Sequence, residues 1–344
     1  MAGREAAVLV QEPITPSDSN PHHLIPNTNP LESIVAVDEE IPIIDYAKLF
    51  SDDLDERSTA LQHLSKACEE YGFFNLVNHP VPDNVIECTL KKIADHFRET
   101  EAEEKQKYLK KSSQDTVVFG LNSYACENRE FAKMVVHPEN HCPPDHCYRE
   151  ALEEYMKGME EVKLGLARAI SKILGQEETY IEDVFDLKRG FDVASLNVYP
   201  PCFNSKSFMG LPTHTDPGFC VSLVQDVNGG LRILTHQGKW ISVSIPPSAI
   251  LIQLGDHLEV LTNGKFKSHL HYVMVAKNKV QRISLATLHG PSLDTFVSPA
   301  PEFVDEHRPP AYRAMTYRQA LETNGNDPID MTTALEHLRL CEGV

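Results

Sequence analysis

Short apolar runs alternate with helical patterns in the amino-terminal half of the chain. Residues 41–46 form an apolar run with a proline near its start, which predicts a short edge strand, and residues 73–78 predict a second strand. Gly72, directly before the second run, is expected to end the helix that precedes it. Apolar residues recurring every three or four positions predict helices over residues 54–71, 82–97 and 150–175.

The carboxyl-terminal half has a different pattern, with many short apolar or alternating runs separated by turn signals such as Asn228-Gly-Gly and Asn263-Gly-Lys. Such a pattern is typical of a β-sandwich or barrel, and the double-stranded β-helix of jelly-roll or cupin type is one such architecture. We therefore predict an α+β fold with a jelly-roll core backed by helices. The predicted strands cover residues 193–199, 219–225, 231–235, 239–245, 249–254, 257–261, 270–276 and 281–288.

These patterns divide the chain into four parts. Residues 1–37 are rich in Pro, Ser and Asn and are expected to be a flexible segment. A helical region follows over residues 38–188, although its stretch 116–150 is less regular, and the β-core is expected over residues 189–300. Residues 301–344 form a tail that ends in a further predicted helix, over residues 332–340.

Composition narrows the classes of partner. The 344 residues carry a formal net charge of −18, which argues against nucleic acid or an anionic membrane as a partner. No apolar run has the length of a membrane span, and no secretory signal begins the chain. The eight cysteines are scattered and are interpreted as reduced thiols. We expect a cytoplasmic monomer that acts on a small molecule.

Three residues in the β-rich half could bind one metal ion. His214 and Asp216 are two positions apart, so both would point to the same face of an extended chain. His271 would approach from another strand. Two imidazoles and one carboxylate form the facial triad of non-haem Fe(II) oxygenases, which leaves coordination positions open for other ligands.

Arg282 and Ser284 are also two positions apart and would direct a guanidinium and a hydroxyl to one point. A planar guanidinium can bind a carboxylate through two charge-assisted hydrogen bonds. The sequence thus predicts an anchor for a carboxylic acid beside the metal site. No basic cluster other than Arg282 marks a second anchor for an acidic group.

Several alternatives stay open at this point. His269 is two residues from His271, so strand alternation cannot choose between them, and Asp256 and Glu259 are alternative carboxylates that we interpret as structural. A second, structural zinc site is a further alternative, because thiolates and imidazoles are the ligands that zinc prefers. Its candidate ligands are His137, His141, Cys142, His146 and Cys147.

The order of motifs over residues 38–340 resembles the plant-type Fe(II)/2-oxoglutarate-dependent dioxygenases, a superfamily that includes flavonol synthases, gibberellin oxidases and alkaloid hydroxylases. The matching pieces are Tyr71-Gly-Phe-Phe-Asn-Leu-Val-Asn-His79, Asn197-Val-Tyr-Pro-Pro-Cys202, Gly210-Leu-Pro-Thr-His-Thr-Asp216, Gln225-Asp226, Gly238-Lys-Trp-Ile241, Gly255-Asp-His-Leu-Glu259, Asn263-Gly-Lys-Phe-Lys-Ser268, His271 and Arg282-Ile-Ser284.

The resemblance assigns roles to particular residues. It makes His214, Asp216 and His271 the iron ligands, and the motif Lys267-Ser268-x-x-His selects His271 over its neighbour. It also implies that the distal carboxylate of 2-oxoglutarate is bound by Arg282 and Ser284, with contributions from Tyr199 and Asn197. Arg282 follows His271 by eleven residues, where related sequences usually have ten, which predicts a bulge in that hairpin.

The implied activity is hydroxylation, desaturation or dealkylation of a small, largely apolar specialised metabolite or hormone, with Fe(II), dioxygen and 2-oxoglutarate consumed to succinate and CO2 and ascorbate as reductant. The resemblance places the enzyme in plant specialised metabolism. The alternatives are a related iron oxidase that does not consume 2-oxoglutarate and a catalytically silent ligand-binding homologue. The expected pocket residues are Phe119, Phe131, Thr213, Phe219 and Leu288.

Overall fold

The computed structural model describes residues 40–100, 105–109, 111–112, 115–122, 129–201, 209–274, 280–323 and 335–340. Its strands, β1 to β14 in chain order, are Ile43–Asp45, Phe73–Val77, Val117–Asn122, Arg129–His137, Phe191–Tyr199, Met209–His214, Cys220–Gln225, Leu231–Leu234, Trp240–Ser242, Ile250–Leu254, His271–Met274, Arg282–Gly290, Phe296–Val297 and Met315–Thr316. Its α-helices, α1 to α7, are Leu54–Lys66, Asp83–Glu99, Arg149–Ile173, Tyr180–Phe185, Asp256–Leu261, Tyr317–Thr323 and Leu335–Leu338.

Most of the strands form two sheets. The larger has eight strands in the order β1-β2-β10-β7-β12-β5-β4-β3, and the smaller has four in the order β6-β11-β8-β9. β1 and β2 are parallel, whereas the other neighbours in both sheets are antiparallel. Strands distant in sequence are neighbours in both sheets, as expected for a jelly roll.

The two sheets pack against each other, because one buried apolar cluster contains side chains from both. On the opposite face of the large sheet, a larger cluster joins its strands to α1, α2 and α3. The predicted α+β fold, a jelly-roll core backed by helices, is therefore confirmed. The shared cluster consists of Phe73, Tyr199, Leu223, Leu231, Ile233, Ile241, Val243, Leu251 and Val273.

A buried polar network also attaches α3 to the large sheet. The Lys163 Nζ atom lies 3.0 Å from Asp192 Oδ2, which lies 3.1 Å from His289 Nδ1. Ser222 Oγ lies 3.2 Å from the other ring nitrogen of His289. Burial alone would raise the pKa of Asp192, but the charges of Lys163 and His289 outweigh it and hold that pKa below its usual value. The carboxylate therefore stays charged inside the protein.

Local sequence explains where α1 begins and ends. The Asp53 side chain accepts hydrogen bonds from the backbone N–H groups of Asp55 and Glu56, which caps the first turn. A π-helical turn, Ala67–Tyr71, continues the helix, and Gly72 ends it with a φ of 70°. The predicted helix over residues 54–71 and its end at Gly72 are confirmed.

Other elements differ from the prediction. Residues 257–261 were predicted as a strand but lie in helix α5. The prediction failed because every residue of this short segment is buried, so its sequence has no periodicity that distinguishes a helix from a strand. The stretch 116–150 contains β3 and β4, which were not predicted, and β6 was also missed. Residues 1–37 and part of the predicted helix over 332–340 lie outside the described residues.

Among the helices of the described ranges, none combines the length and the apolar character needed to cross a membrane.

Candidate metal centre and carboxylate anchor

The three predicted metal ligands come together at one end of the small sheet. His214 ends β6 and His271 begins β11, and the two residues are directly paired across these strands. Asp216 lies two residues beyond the end of β6, with its carboxylate oxygens 3.5 Å from His214 Nε2 and 3.4 Å from His271 Nε2. One ligand atom from each residue lies within 4.8 Å of the others, which is close enough to bind a single ion.

Both imidazoles are oriented by backbone carbonyls. His214 Nδ1 lies 2.8 Å from the Pro212 carbonyl oxygen, and His271 Nδ1 lies 3.2 Å from the His269 carbonyl oxygen. Because a carbonyl oxygen only accepts, each Nδ1 carries a proton, and each Nε2 is the ring nitrogen left to coordinate a metal ion beside Asp216. Metal-binding histidines are commonly oriented in this way.

The electrostatics of the group suit a divalent cation. Burial, followed by the nearby His271, lowers the pKa of His214 well below its usual value, so that imidazole is neutral and able to coordinate. Burial raises the pKa of Asp216, and His271 only partly offsets this effect. A dication would reverse the penalty on the buried carboxylate. Two imidazoles and one carboxylate fit Fe(II).

The alternative carboxylates hold the metal-site loops in place. The Asp256 backbone N–H donates to the Asp216 carbonyl at 2.9 Å, and Thr215 Oγ1 donates to Asp256 Oδ2 at 3.0 Å. Burial raises the pKa of Asp256 to about 8, which disfavours its charged form at neutral pH. Glu259 accepts a hydrogen bond of 2.7 Å from the Ser268 backbone N–H. Both residues lie outside the group that could bind one ion, in agreement with their interpretation as structural.

The hydrogen bonds of His269 distinguish it from the metal-ligand candidate His271. Its Nδ1 lies 2.7 Å from the Leu234 carbonyl oxygen, and its Nε2 lies 2.7 Å from His236 Nε2. Burial, followed by the nearby His236, lowers the pKa of His269 to about 4. The ring packs so closely on Gly72 that a Cβ there would collide with it. Because β11 begins only at His271, the two-residue alternation does not extend to His269.

No second metal centre forms in the part of the chain that the structure describes, where the His214–Asp216–His271 group alone brings three potential ligands close enough for one ion. The five His and Cys residues between 137 and 147 are all described, yet they do not converge. The zinc alternative is therefore not supported.

The Arg282 side chain is held in place on four sides. Its Nη1 donates to Ser284 Oγ at 3.2 Å, its Nη2 donates to Gln225 Oε1 at 2.8 Å, and its Nε donates to the Gly229 carbonyl. The guanidinium carbon lies 4.6 Å from the centre of the Tyr199 ring. Arg282 is only 3% exposed, so these contacts direct a desolvated cation beside the Ser284 hydroxyl.

The partners of Arg282 in the described residues are all neutral, and none of them is a carboxylate. A buried cation without a counter-ion is costly, so this site suits an anionic ligand. The expected hairpin between His271 and Arg282 is wrong, because β11 and β12 belong to different sheets. An irregularity does follow His271, since the register of β11 against β6 shifts between His271 and Met274. Arg282 and Ser284 nevertheless share one face of β12, as predicted. We call this the inner face of the large sheet.

Tyr199 and Asn197 lie beside the anchor on β5, where they pair with Arg282 and Ser284. The Asn197 amide is already engaged, because Oδ1 accepts from Arg129 Nη1 at 3.2 Å and Nδ2 donates to the Ser195 carbonyl at 3.0 Å. The contact of both residues with 2-oxoglutarate stays a prediction.

The inner face also contains two of the predicted pocket residues. Phe131 is paired with Asn197 and is half-buried, so its ring lies on the same side of the sheet as Ser284. Leu288 occupies an inner-face position of β12 and joins an apolar cluster with residues of β3, β4, β5 and β7. Thr213 is exposed at the position before His214. Their roles in binding stay predictions.

Two predicted pocket residues are wrong. Phe119 is 4% exposed and faces the other side of β3, where its ring centre lies 5.8 Å from that of His96 and 5.4 Å from that of Tyr108. Phe219 is fully buried, with its ring centre 6.1 Å from that of Phe185. Both rings belong to the core cluster between the large sheet and the helices.

The two phenylalanines of neighbouring strands should therefore respond differently to truncation. Phe119→Ala is expected to lower the free energy of unfolding by about 3–5 kcal/mol, because it leaves a cavity in a packed core. Phe131→Ala should lower the free energy of unfolding by clearly less, since the Phe131 ring is only half-buried. Urea denaturation of both variants measures the difference, and a larger loss in Phe131→Ala would contradict the assigned faces.

Two cations on the inner face were missed. Arg129 and Lys133 lie on β4 at two-residue spacing on either side of Phe131. Both charges lower the pKa of His214, after the larger effects of burial and His271. Arg282 is therefore accompanied by two further cations on the inner face, which the sequence analysis did not single out. The two-residue alternation along β4 would have placed Arg129 and Lys133 on the same face as Phe131, but β4 was not predicted as a strand.

Known proteins share both the sequence pattern and the fold. Residues 190–291 match the model of the 2OG-Fe(II) oxygenase superfamily, and residues 41–154 match that of the N-terminal region of non-haem dioxygenases in morphine synthesis. The chain is 33% identical over 307 residues to 2-oxoglutarate-dependent dioxygenase 19 of Oryza sativa subsp. japonica, covering 87% of this chain and 90% of that protein. The chain belongs to the 2OG-Fe(II) oxygenase superfamily. It is thus an oxidoreductase whose class uses Fe(II) and 2-oxoglutarate.

A second curated relative and one solved structure are also similar to this 2OG-Fe(II) oxygenase. 1-Aminocyclopropane-1-carboxylate oxidase 4 of Solanum lycopersicum is 31% identical over 274 residues, covering 78% of this chain and 85% of that protein. The crystal structure of JOX2 in complex with 2OG, Fe and JA superposes with a TM-score of 0.77 at 24% identity, covering 89% of this chain and 90% of that chain. At that identity, the superposition supports the jelly-roll fold alone.

Proposed function

We propose that His214, Asp216 and His271 bind Fe(II), and that Arg282 and Ser284 bind the distal carboxylate of 2-oxoglutarate. The observations that carry this proposal are the convergence of three metal-binding atoms within 4.8 Å and a buried guanidinium whose described partners are all neutral. The enzyme would hydroxylate, desaturate or dealkylate a small organic substrate and release succinate and CO2.

Each residue has a distinct task in this proposal. The carbonyls that orient His214 and His271 keep both Nε2 lone pairs directed at the metal position. Asp216 supplies the negative charge and leaves three coordination positions for other ligands. Bound Fe(II) supplies the activation of dioxygen. Arg282, held by Gln225, orients the cosubstrate, and the buried surroundings exclude water.

The rest of the proposal concerns substrate and setting. Phe131, Leu288 and Thr213 are proposed to contact a largely apolar metabolite or hormone of plant specialised metabolism, and Tyr199 and Asn197 to border the cosubstrate. We place the enzyme in the cytoplasm, which is supported by five free cysteines among the described residues. A monomer is proposed because one chain supplies all three metal ligands and the anchor. The net charge of −18 opposes a nucleic-acid partner.

Anaerobic loading with Fe(II) and 2-oxoglutarate, followed by oxygen and ascorbate, tests this function. We expect iron bound at one equivalent and succinate formed slowly even without the primary substrate. Oxygen uptake with bound iron but without succinate would instead support an oxidase that does not consume 2-oxoglutarate. A protein that binds no iron would support the silent ligand-binding alternative.

A further inference from the structure

Strand β4 presents opposite chemistry on its two faces. Glu130 points outward and forms an ion pair of 2.7 Å with Lys105. Arg129, Phe131 and Lys133 occupy the alternate positions, which face inward. The outward face of β4 therefore carries an ion pair. Its inward face carries two cations, Arg129 and Lys133, which we call the cationic wall.

Arg129 is the more informative of the two inner cations. It is only 9% exposed, and its Nη1 donates to the neutral Asn197 Oδ1 at 3.2 Å. Its Nε is buried without a hydrogen-bond partner, and no carboxylate of the described residues forms an ion pair with it. A buried guanidinium with an unused donor is costly unless an anion completes the site.

Lys133 and Phe131 extend this site. The Phe131 ring centre lies 4.7 Å from the Arg129 guanidinium carbon and 5.7 Å from Lys133 Nζ, so the ring lies between the two cations. The apolar cluster that contains Leu288 continues from the Phe131 ring along the inner face. Charge and apolar surface are therefore adjacent. The cluster also contains Val118, Val135, Val193 and Val221.

The position of this wall separates it from the cosubstrate anchor. β4 and β12 lie on opposite sides of β5, about 10 Å apart at ordinary strand spacing. Asn197 on β5 lies between Arg129 and Ser284, facing inward with both. This separation leaves room for a second anion beside 2-oxoglutarate. The wall and the anchor nevertheless share the inner face of the large sheet, on either side of β5.

We propose that Arg129 and Lys133 bind a carboxylate of the primary substrate, so that the substrate of this enzyme is an apolar organic acid with a ring or chain packed on Phe131. This inference rests on the proposed function, since it assigns the substrate class of the same site. Arg129 offers planar two-point recognition, and Lys133 adds a point charge.

Paired probes that differ only in charge test the proposal. Protein loaded anaerobically with Mn(II) and 2-oxoglutarate is titrated calorimetrically with phenylacetate, naphthaleneacetate and cyclohexylacetate, each beside its primary amide. We expect at least one acid to bind about 10- to 100-fold more tightly than its amide, as charge-assisted hydrogen bonds permit. Arg129→Gln and Lys133→Gln should each reduce that preference to about 3-fold or less, whereas Lys105→Gln, which removes a cation from the outer face, should preserve it.

The same variants separate this anchor from that of the cosubstrate. The affinity for 2-oxoglutarate should change by less than about 2-fold in Lys133→Gln and fall steeply in Arg282→Gln. Arg129→Gln should lower it far less than Arg282→Gln does, because Arg129 contacts Asn197 but not the anchor itself. Equal binding of acid and amide by the wild type would overturn the proposal, as would a loss of 2-oxoglutarate affinity in Arg129→Gln that matches Arg282→Gln. Succinate formation by these proteins tests the proposed function separately. If succinate is formed but the acids bind no more tightly than their amides, only the proposed substrate class is rejected.

Discussion

His271→Ala is expected to lower succinate formation by more than the roughly 10- to 100-fold that loss of a hydrogen-bond partner of a metal ligand costs, whereas His269→Ala should keep most of the activity. His271 Nε2 lies 3.4 Å from Asp216 and supplies one of three metal-binding atoms, so its removal leaves only two protein ligands. His269 instead has Leu234 and His236 as partners. Succinate is measured after anaerobic loading with Fe(II) and 2-oxoglutarate and the addition of oxygen.

His269→Ala is the matched control, because it removes the same ring two residues away in the chain. Loss of the His269 ring, which packs on Gly72, can lower the stability of the His269→Ala variant. Both variants are therefore compared at a temperature where circular dichroism shows them folded. Equal loss of activity in the two folded variants, or full activity in His271→Ala, would contradict the assignment of the ligands.

Arg282→Gln is expected to raise the KM for 2-oxoglutarate by about 10²- to 10³-fold, because it leaves a buried carboxylate without its charged partner. Arg282→Lys should restore part of the affinity, since an ammonium keeps the charge but cannot form two parallel hydrogen bonds. Initial rates of succinate formation at varied 2-oxoglutarate give both constants.

Gln225→Leu provides a graded comparison for this anchor. It removes the acceptor that lies 2.8 Å from Arg282 Nη2 but leaves the guanidinium itself, so its effect on KM should be smaller than that of Arg282→Gln. An unchanged KM in Arg282→Gln would mean that the distal carboxylate binds elsewhere.

The metal site was predictable because its signal is contained in spacing and motif order. His214 and Asp216 are two residues apart, and the superfamily resemblance selected His271. The reason given for that spacing was only partly right, since β6 ends at His214 and Asp216 lies in the following loop. The choice between His269 and His271 could not come from alternation, because it depends on where β11 begins.

The substrate side of the site was less predictable because it depends on faces of strands. Without the bounds of β3 and β4, no register existed to show that Phe119 faces the core and Phe131 faces inward. For the same reason, the sequence analysis could not place Arg129 and Lys133 on the inner face. Residues 257–261 show a related limit, since a short segment buried on all sides carries no periodicity that separates a helix from a strand.

A crystal structure of the anaerobic complex with Fe(II) and 2-oxoglutarate, with anomalous data at the iron edge, would locate the metal and the cosubstrate together. We expect one iron bound by Nε2 of His214, Nε2 of His271 and the Asp216 carboxylate, with the distal carboxylate of 2-oxoglutarate hydrogen-bonded to Arg282 and Ser284. Iron at another set of residues, or a cosubstrate carboxylate directed away from Arg282, would contradict this expectation.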